Sequence, residues 1–200
     1  MIKVLVVEDQ GLVRGAISAL LGLDLQIEVV AQAQDGLEGL KILAEQDVDV
    51  VLSDIEMPNM TGLELAEQVI EKYPHSKVVI MTTFSRAGYI RRAMAMGVKG
   101  FVLKEAPSEY LVNTLKKVML GQKVIDPELA MSALEDSDPL TEKERKALRF
   151  ASEGLKTSEI ADKLFLSEGT IRNYLSEAIA KLNATNRVDA ARIAKQKGWL

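Results

Sequence analysis

The 200-residue sequence predicts an α/β fold, a doubly wound five-stranded parallel sheet, followed by a small all-α domain of four helices. Two observations support this prediction. Before Gly121, short apolar runs rich in β-branched residues alternate strictly with helical patterns, as in a sheet covered by helices on both faces. After Pro139 the strand signals stop and only helical patterns follow.

The elements of the first part follow from this alternation. The predicted strands cover residues 3–7, 28–31, 48–52, 77–81 and 100–103. The predicted helices cover residues 10–22, 35–45, 61–72, 86–96 and 108–120. Gly97 and Gly121 are each expected to end a helix, because glycine readily adopts the left-handed conformation common there.

The remaining elements form a linker and a helical domain. A short helix is predicted over 127–134, since Pro127 suits a first helical turn. Later helices are predicted at 141–152, 157–164, 168–182 and 187–197. Thr141 and Glu144 have capping-box spacing, and Ser167 is a candidate N-cap. The predicted domain boundaries are 1–121, with a linker at 122–139 and a second domain at 140–200.

Composition limits the classes of function. Hydrophobic residues make up 48% of the chain and charged residues 27%, as in ordinary globular domains. There are no cysteines, which excludes disulfides and thiolate metal sites. No apolar run approaches the roughly 18 residues of a membrane span, and the first residues do not form a signal peptide. These features predict a cytoplasmic protein with no membrane partner.

Charge is divided unevenly along the chain. From Pro139 to Leu200 there are 12 Lys and Arg against 8 Asp and Glu, a net charge of +4. The rest of the chain carries a net charge of −8. This asymmetry predicts two domains with different partners and permits nucleic-acid binding by the second.

Acidic and polar residues follow four of the five predicted strands. Glu8 and Asp9 come after the first strand, Asp54 after the third, Thr82 after the fourth and Lys104 after the fifth. One such residue alone is usually an ordinary loop residue, but the carboxyl ends of parallel strands meet at one sheet edge, where this combination forms a pocket. Carboxylates without His or Cys suit Mg²⁺, and metal, lysine and hydroxyl together can stabilise a phosphoryl group on a carboxylate.

Residues 1–120 resemble the receiver domain of bacterial two-component systems. The matching residues are Glu8, Asp9, Asp54, Thr82, Phe101 and Lys104. The resemblance implies that a sensor histidine kinase phosphorylates Asp54, that Mg²⁺ binds the three carboxylates, and that the domain catalyses only its own phosphotransfer and autodephosphorylation. It also implies a switch in which Thr82 moves toward the phosphoryl group and Phe101 fills the vacated space. Phe101 stands where the family often has Tyr, so a hydroxyl role is absent there.

The helices predicted at 157–164 and 168–182 fit a helix-turn-helix, joined by Leu166 and Ser167. Their apolar residues recur at spacings of three and four, which leaves one polar face on the second helix. In such a motif this second helix enters the DNA major groove by its amino-terminal part. From this pattern alone, a helical module that binds protein remains an alternative.

The candidate DNA contacts lie on or beside that second helix. They are Thr170, Arg172, Asn173, Ser176, Lys181 and Arg187. Arg172 suits guanine and Asn173 suits adenine, because a guanidinium and an amide can each bond two atoms of one base edge. The candidates for phosphate contacts are Thr170, Lys181 and Arg187.

Residues 140–200 resemble the LuxR-type DNA-binding domain of NarL/FixJ response regulators. The matching motifs include Leu140-Thr-Glu-Lys-Glu-Arg145, Glu159-Ile-Ala161, Thr170-Ile-Arg-Asn-Tyr174 and Asn186-Arg187. Further motifs that resemble the DesR-like branch of this family are Thr82-Thr-Phe84, Asn173-Tyr174 and Lys197-Gly-Trp199. Ser176-Glu177 departs from the many relatives with a basic residue near Ser176, so the base preference of relatives is not carried over.

Together these resemblances imply a two-component response regulator, a DNA-binding transcription factor rather than an enzyme. Phosphorylation of Asp54 is expected to promote homodimerisation and binding to promoter DNA, with RNA polymerase as a further partner. Two alternatives stay open. One is a Mg²⁺-dependent phosphohydrolase that uses an aspartyl-phosphate in the same pocket, and the other is a phosphorylation-independent adaptor that binds protein through its helical domain.

Overall fold

A computed structural model gives the fold of the chain. The described residues are 1–83, 87–135 and 138–200. For residues 87 and 132–135 the backbone alone is described. Phe84 of the branch motif, residue 86 of the predicted fourth helix and residues 136–137 of the predicted linker lie outside the described residues. Every helix in the described part of the chain is too short or too polar to span a bilayer.

The chain divides into two compact units, and a parallel sheet forms the centre of the first. The strands are β1 (Ile2–Val7), β2 (Ile27–Ala33), β3 (Val50–Asp54), β4 (Lys77–Thr82), β5 (Gly100–Leu103) and β6 (Val124–Ile125). Their order is β2-β1-β3-β4-β5-β6, and each neighbouring pair is parallel. The predicted α/β class with a parallel sheet is confirmed.

Helices alternate with the first five strands as predicted. They are α1 (Gly11–Leu21), α2 (Gly36–Glu45), α3 (Gly62–Lys72), α4 (Ala87–Met96), α5 (Ser108–Met119) and, after β6, α6 (Pro127–Glu135). Gly97 and Gly121 follow α4 and α5 with φ values of 104° and 84°, which confirms their helix-ending role. The short helix predicted at Pro127 is also present.

The sixth strand corrects the predicted five-stranded sheet. Val124 and Ile125 lie within the predicted linker and pair with Gly100 and Phe101 of β5. Two residues are too few to show an alternation of apolar and polar side chains, so this strand has no sequence signal. It forms because β5 would otherwise expose unpaired backbone groups, and Val124 N donates to Lys99 O at 2.9 Å.

Burial explains why the strands are apolar throughout. All five residues of β3 are buried, as are the last four of β1 and the last five of β4. Strands covered on both faces have no solvent side on which polar residues could alternate. The polar side chains of this unit that could perform chemistry are therefore expected where the strands end.

Within the described residues, the second unit contains the complete helices α7 (Glu142–Ser152), α8 (Thr157–Leu164), α9 (Glu168–Lys181) and α10 (Arg187–Gln196). The capping box predicted for α7 is confirmed, since Glu144 N donates to Thr141 Oγ1 at 3.3 Å and Thr141 N donates to Glu144 Oε2 at 2.8 Å. The helices share an apolar core that includes Leu148, Ile160, Ile171, Leu175 and Trp199.

Candidate functional site

The carboxyl ends of four strands bring the polar pocket residues together. Asp54 is the last residue of β3, and Thr82 is the last residue of β4. Both strands therefore end later than the sequence predicts. Glu8 directly follows β1, whose Val7 pairs with Ser53. Lys104 directly follows β5, and its backbone N donates to Thr82 O at 2.9 Å.

Lys104 bridges two carboxylates in this pocket. Its Nζ lies 2.7 Å from Glu8 Oε2 and 3.0 Å from Asp54 Oδ2. Asp54 Oδ1 accepts a hydrogen bond from Ile55 N at 2.8 Å. Each carboxylate thus has a fixed orientation, and Lys104 offers a positive charge directly beside Asp54.

The acidic cluster has more negative than positive charge. Carboxylate oxygens of Glu8, Asp9 and Asp54 lie within 4.8 Å of one another. Burial raises the pKa of Glu8 and of Asp54 despite the nearby Lys104. Burial by itself would lower the pKa of Lys104, but its hydrogen bonds and charge interactions with these two acids raise it. Three hard oxygen donors beside one ammonium form a donor set that fits a divalent cation such as Mg²⁺.

The loop after Asp54 is held by close backbone packing. Gly62 N donates to Ile55 O at 2.9 Å, and a Cβ on Gly62 would lie only 1.8 Å from the carbonyl oxygen of Asp54. Asn59 has a φ of 61°, and its side-chain amide donates to Asp35 Oδ2 at 2.7 Å. The hydrogen bond between Asn59 and Asp35 has no sequence signal, because it joins residues far apart in the chain.

Phe101 lies in β5, between β4 and the edge strand β6. Its side chain is fully buried, and its strand pairs with β4, which ends at the buried Thr82. On the other side Phe101 pairs with Ile125 of β6, and its carbonyl oxygen accepts from Asp126 N at 3.0 Å. The backbone of Phe101 is thus hydrogen-bonded directly to the segment predicted as the linker.

Two helices of the second unit have the geometry of a helix-turn-helix. α8 ends at Leu164, the following residue Phe165 has a left-handed φ of 54°, and α9 starts after Ser167. The Ser167 hydroxyl accepts from Thr170 N at 3.1 Å, which confirms the predicted N-cap. The Thr170 hydroxyl lies 2.9 Å from the same Ser167 oxygen, so its hydrogen-bonding capacity is partly used within the protein.

The outer face of α9 presents three of the predicted contact residues. Arg172, Asn173 and Ser176 are all exposed. Arg172 pairs with Glu168 at 2.8 Å, but with 68% of the Arg172 side chain exposed this is a surface pair worth about 0–1 kcal/mol. Such a pair can be exchanged for a base contact at little cost.

The two other cationic candidates differ in their surroundings. Arg187 is the half-buried first residue of α10, directly after Asn186, whose side chain caps that helix. Lys181 Nζ instead lies 2.8 Å from both carboxylate oxygens of Glu144. Glu144 is not among the residues predicted for this site, since its sequence signal is fully explained by the capping box.

The Glu144 carboxylate is expected to make the stability of the second unit depend on pH. Burial opposes its ionisation, but the bonds from Lys181 and Thr141 outweigh burial and lower the pKa of Glu144 from 4.5. The ionised Glu144 carboxylate therefore contributes fully to the unfolding free energy at pH values above 4.5. This contribution is lost as the pH falls through the lower pKa that Glu144 has in the folded state. We expect Glu144→Gln to have a lower unfolding free energy than wild type. This difference should be greatest near neutral pH and smaller in acid.

Urea unfolding of wild type and Glu144→Gln at several pH values measures this difference. Glu142→Gln is the matched control, because Glu142 lies in the same helix turn but is mostly exposed. A stability difference for Glu144→Gln that stays constant as the pH falls well below 4.5 would contradict the expectation.

Comparison with known proteins identifies both units. Residues 4–116 match the family model for the response regulator receiver domain, and residues 138–194 match that for bacterial regulatory proteins of the luxR family. The chain is 43% identical over 200 residues to the uncharacterized transcriptional regulatory protein YvfU of Bacillus subtilis (strain 168), covering 100% of both chains. It is 41% identical over 199 residues to the transcriptional regulatory protein DesR of that strain, covering 100% of this chain and 99% of the relative.

A solved structure of the response regulator RcsB in complex with DNA shares the fold. It has a TM-score of 0.68 and 23% sequence identity, covering 97% of this chain and 98% of that one. The matches favour a transcription regulator over a phosphohydrolase or a protein adaptor. The chain therefore belongs to the two-component response regulators of the NarL/FixJ family, which join a receiver domain to a LuxR-type DNA-binding domain.

Proposed function

We propose that Asp54 is the phosphoryl acceptor and that its phosphorylation by a sensor histidine kinase switches DNA binding on. The observation that carries this proposal is the Lys104 ammonium, 3.0 Å from Asp54 and 2.7 Å from Glu8 in the acidic cluster. A cation held there can offset the charge that a phosphoryl group adds. The proposed receiver spans residues 1–121, with a linker at 122–139 and the DNA-binding domain at 140–200.

Glu8, Asp9 and Asp54 are the residues that would hold Mg²⁺. The bound metal would supply positive charge to the phosphoryl oxygens. The reaction itself is a transfer in which one carboxylate oxygen of Asp54 attacks phosphorus. An oxygen–phosphorus bond forms as the nitrogen–phosphorus bond of the kinase phosphohistidine breaks, and the imidazole leaves with the electron pair. Lys104 neutralises the developing charge, and later hydrolysis restores Asp54, so the domain acts only on itself.

The proposed output is binding of a homodimer to promoter double-stranded DNA. Two helix-turn-helix modules in one dimer would double the phosphate contacts and make binding steeply dependent on salt. The exposed face of α9 supports base reading by Arg172 and Asn173, and the DNA complex of RcsB supports DNA as the partner class. RNA polymerase is the further partner proposed at the promoter, and all these partners imply action in the cytoplasm.

Phosphoryl uptake tests the acceptor assignment. Wild type, Asp54→Asn and Asp24→Asn are incubated with acetyl phosphate and Mg²⁺, and intact masses are measured. Asp24 is the control because it is a carboxylate outside the pocket, paired with Lys116 at 2.7 Å. We expect one phosphoryl group on wild type and Asp24→Asn and none on Asp54→Asn. Equal uptake by Asp54→Asn would contradict the proposal.

Thr82→Ala is expected to separate phosphorylation from its output. The alanine variant keeps the acidic cluster and Lys104, so phosphoryl uptake should stay close to that of wild type. It lacks the hydroxyl proposed to move toward the phosphoryl group, so the gain in DNA affinity on phosphorylation should be lost. The probe is a duplex selected by phosphorylated wild type from a random-sequence pool, called the selected duplex below.

Thr83→Ala is the matched control, since Thr83 is the exposed neighbour of the buried Thr82. Affinities of phosphorylated and unphosphorylated protein for the selected duplex are compared by fluorescence anisotropy. If Thr82→Ala gains as much affinity on phosphorylation as wild type does, Thr82 is not the coupling residue.

A further inference from the structure

The ion pair between Glu144 and Lys181 joins the ends of two packed helices. Glu144 lies in the first turn of α7, and Lys181 is the last residue of α9. These two helices pack directly against each other. Because Lys181 Nζ bonds both Glu144 oxygens at 2.8 Å, the carboxyl end of α9 is fixed to the amino end of α7.

Glu144 is the most buried acid among the described ion pairs of α7, since the Asp138 side chain is 15% exposed and that of Glu142 is 66% exposed. The Glu144 side chain is only 7% exposed, whereas that of Lys181 is 32% exposed. Glu144 Oε2 also accepts from Thr141 N, so the carboxylate has a fixed position before Lys181 reaches it. The acid lies at the positive end of one helix dipole and the ammonium at the negative end of the other. Removing Lys181 leaves the buried Glu144 carboxylate without its counter-charge, which costs more stability than the loss of an exposed pair.

Lys181 also lies at the end of α9 away from the predicted base contacts. It follows Arg172 by nine residues, which corresponds to about 14 Å along a helix axis. A helix-turn-helix places the amino-terminal part of its second helix against the bases. A residue that holds the opposite end of that helix determines the angle at which the amino-terminal part enters the groove.

We propose that Lys181 is a positioning residue, and that its bond to Glu144 sets the orientation of α9 for base reading by Arg172. This assignment replaces the phosphate contact predicted for Lys181 and rests on the proposed DNA-binding function. Glu144 becomes a residue needed for DNA recognition although it carries a negative charge.

The sign of the effect of Glu144→Gln on DNA binding decides between the two roles. If Lys181 is a phosphate contact, this variant removes a negative charge and frees Lys181, so DNA binding becomes tighter. If Lys181 positions α9, affinity for the selected duplex falls about tenfold, as expected for loss of a buried charged hydrogen bond. Affinity for a scrambled duplex of equal length stays unchanged, because backbone contacts need no precise helix angle.

Glu142→Gln controls for net charge, because it removes the same charge from the exposed side of α7. We expect Glu142→Gln to lower neither the affinity for the selected duplex nor the affinity for the scrambled duplex. A merely stabilising role for the Glu144–Lys181 pair would lower both affinities by the same factor, and thus would not change their ratio. A ratio of selected to scrambled affinity equal to that of Glu142→Gln would overturn the proposal.

Lys181→Met provides an independent test that keeps the apolar stem of the side chain. We expect the slope of log affinity against log salt to match wild type, while the preference for the selected duplex falls as in Glu144→Gln. A slope shallower by about 0.9 would identify a lost phosphate contact and overturn the proposal. Circular dichroism melting verifies that Glu144→Gln and Lys181→Met fold. If Glu144→Gln does not fold, the salt dependence and duplex preference of Lys181→Met still decide between the two roles of Lys181. Failure of wild type to select any duplex would instead refute the proposed DNA-binding function.

Discussion

Gly62→Ala is expected to abolish phosphoryl uptake and to lower the unfolding free energy of the receiver domain by about 3 kcal/mol. The added Cβ would lie 1.8 Å from the Asp54 carbonyl oxygen and 3.0 Å from Ser53 Oγ. The nearest atom belongs to the backbone of a fully buried strand, so it cannot rotate away as a flexible side chain can. The strand end that presents Asp54 must therefore shift.

Urea unfolding and intact-mass measurement of phosphoryl uptake test this expectation. Gly15→Ala is the control, because Gly15 lies exposed within α1 and an added Cβ there meets no atom within 4 Å. Alanine in a helix interior is expected to stabilise by roughly 0.5–1 kcal/mol, so the two glycine substitutions should act in opposite directions. If Gly62→Ala had the same stability and phosphoryl uptake as wild type, the loop after Asp54 would not be packed as described.

Arg172→Ala is expected to weaken binding to the selected duplex by about 1–3 kcal/mol, a loss of roughly 5- to 150-fold, with little change in protein stability. The base contact proposed for Arg172 is lost, whereas its exposed pair with Glu168 contributes little to folding. Binding to a scrambled duplex should fall much less, because base contacts carry the sequence preference.

The matched control for Arg172→Ala is Arg192→Ala. Arg192 is also mostly exposed and pairs with an acid of its own helix, Asp189, at 2.8 Å, but it lies on α10 rather than on α9. Fluorescence anisotropy on both duplexes and a thermal melt of each variant complete the comparison. Equal losses for the two arginine variants would mean that Arg172 contributes charge alone and reads no base.

Local sequence signals predicted most of the fold because each depends on neighbouring residues. The capping box at Thr141 and Glu144, the N-cap at Ser167 and the helix-ending glycines depend only on residues within a few positions. β6 has no local sequence signal because its two residues are specified by the free edge of β5, which is a tertiary feature. β3 and β4 end later than their apolar runs predict, because strand pairing continues through Asp54 and Thr82.

The pocket was predictable from strand ends, whereas part of the DNA-binding surface was not. Glu8, Asp54 and Lys104 directly follow or end apolar strands, and the parallel sheet then makes their proximity inevitable. Lys181 has the same periodicity on α9 as a residue facing DNA, and only the packing of α7 on α9 reveals that Glu144 binds its ammonium. Helix periodicity predicts on which face of the helix a residue lies, but it does not predict which residue of another helix contacts it.

The affinity of full-length protein for the selected duplex, before and after treatment with acetyl phosphate and Mg²⁺, tests the central claim most directly. Wild type should bind more tightly after treatment, and Asp54→Ala should bind with the same low affinity in both states. An equal gain in Asp54→Ala, or no gain in wild type that has taken up one phosphoryl group, would contradict control of DNA binding by phosphorylation of Asp54.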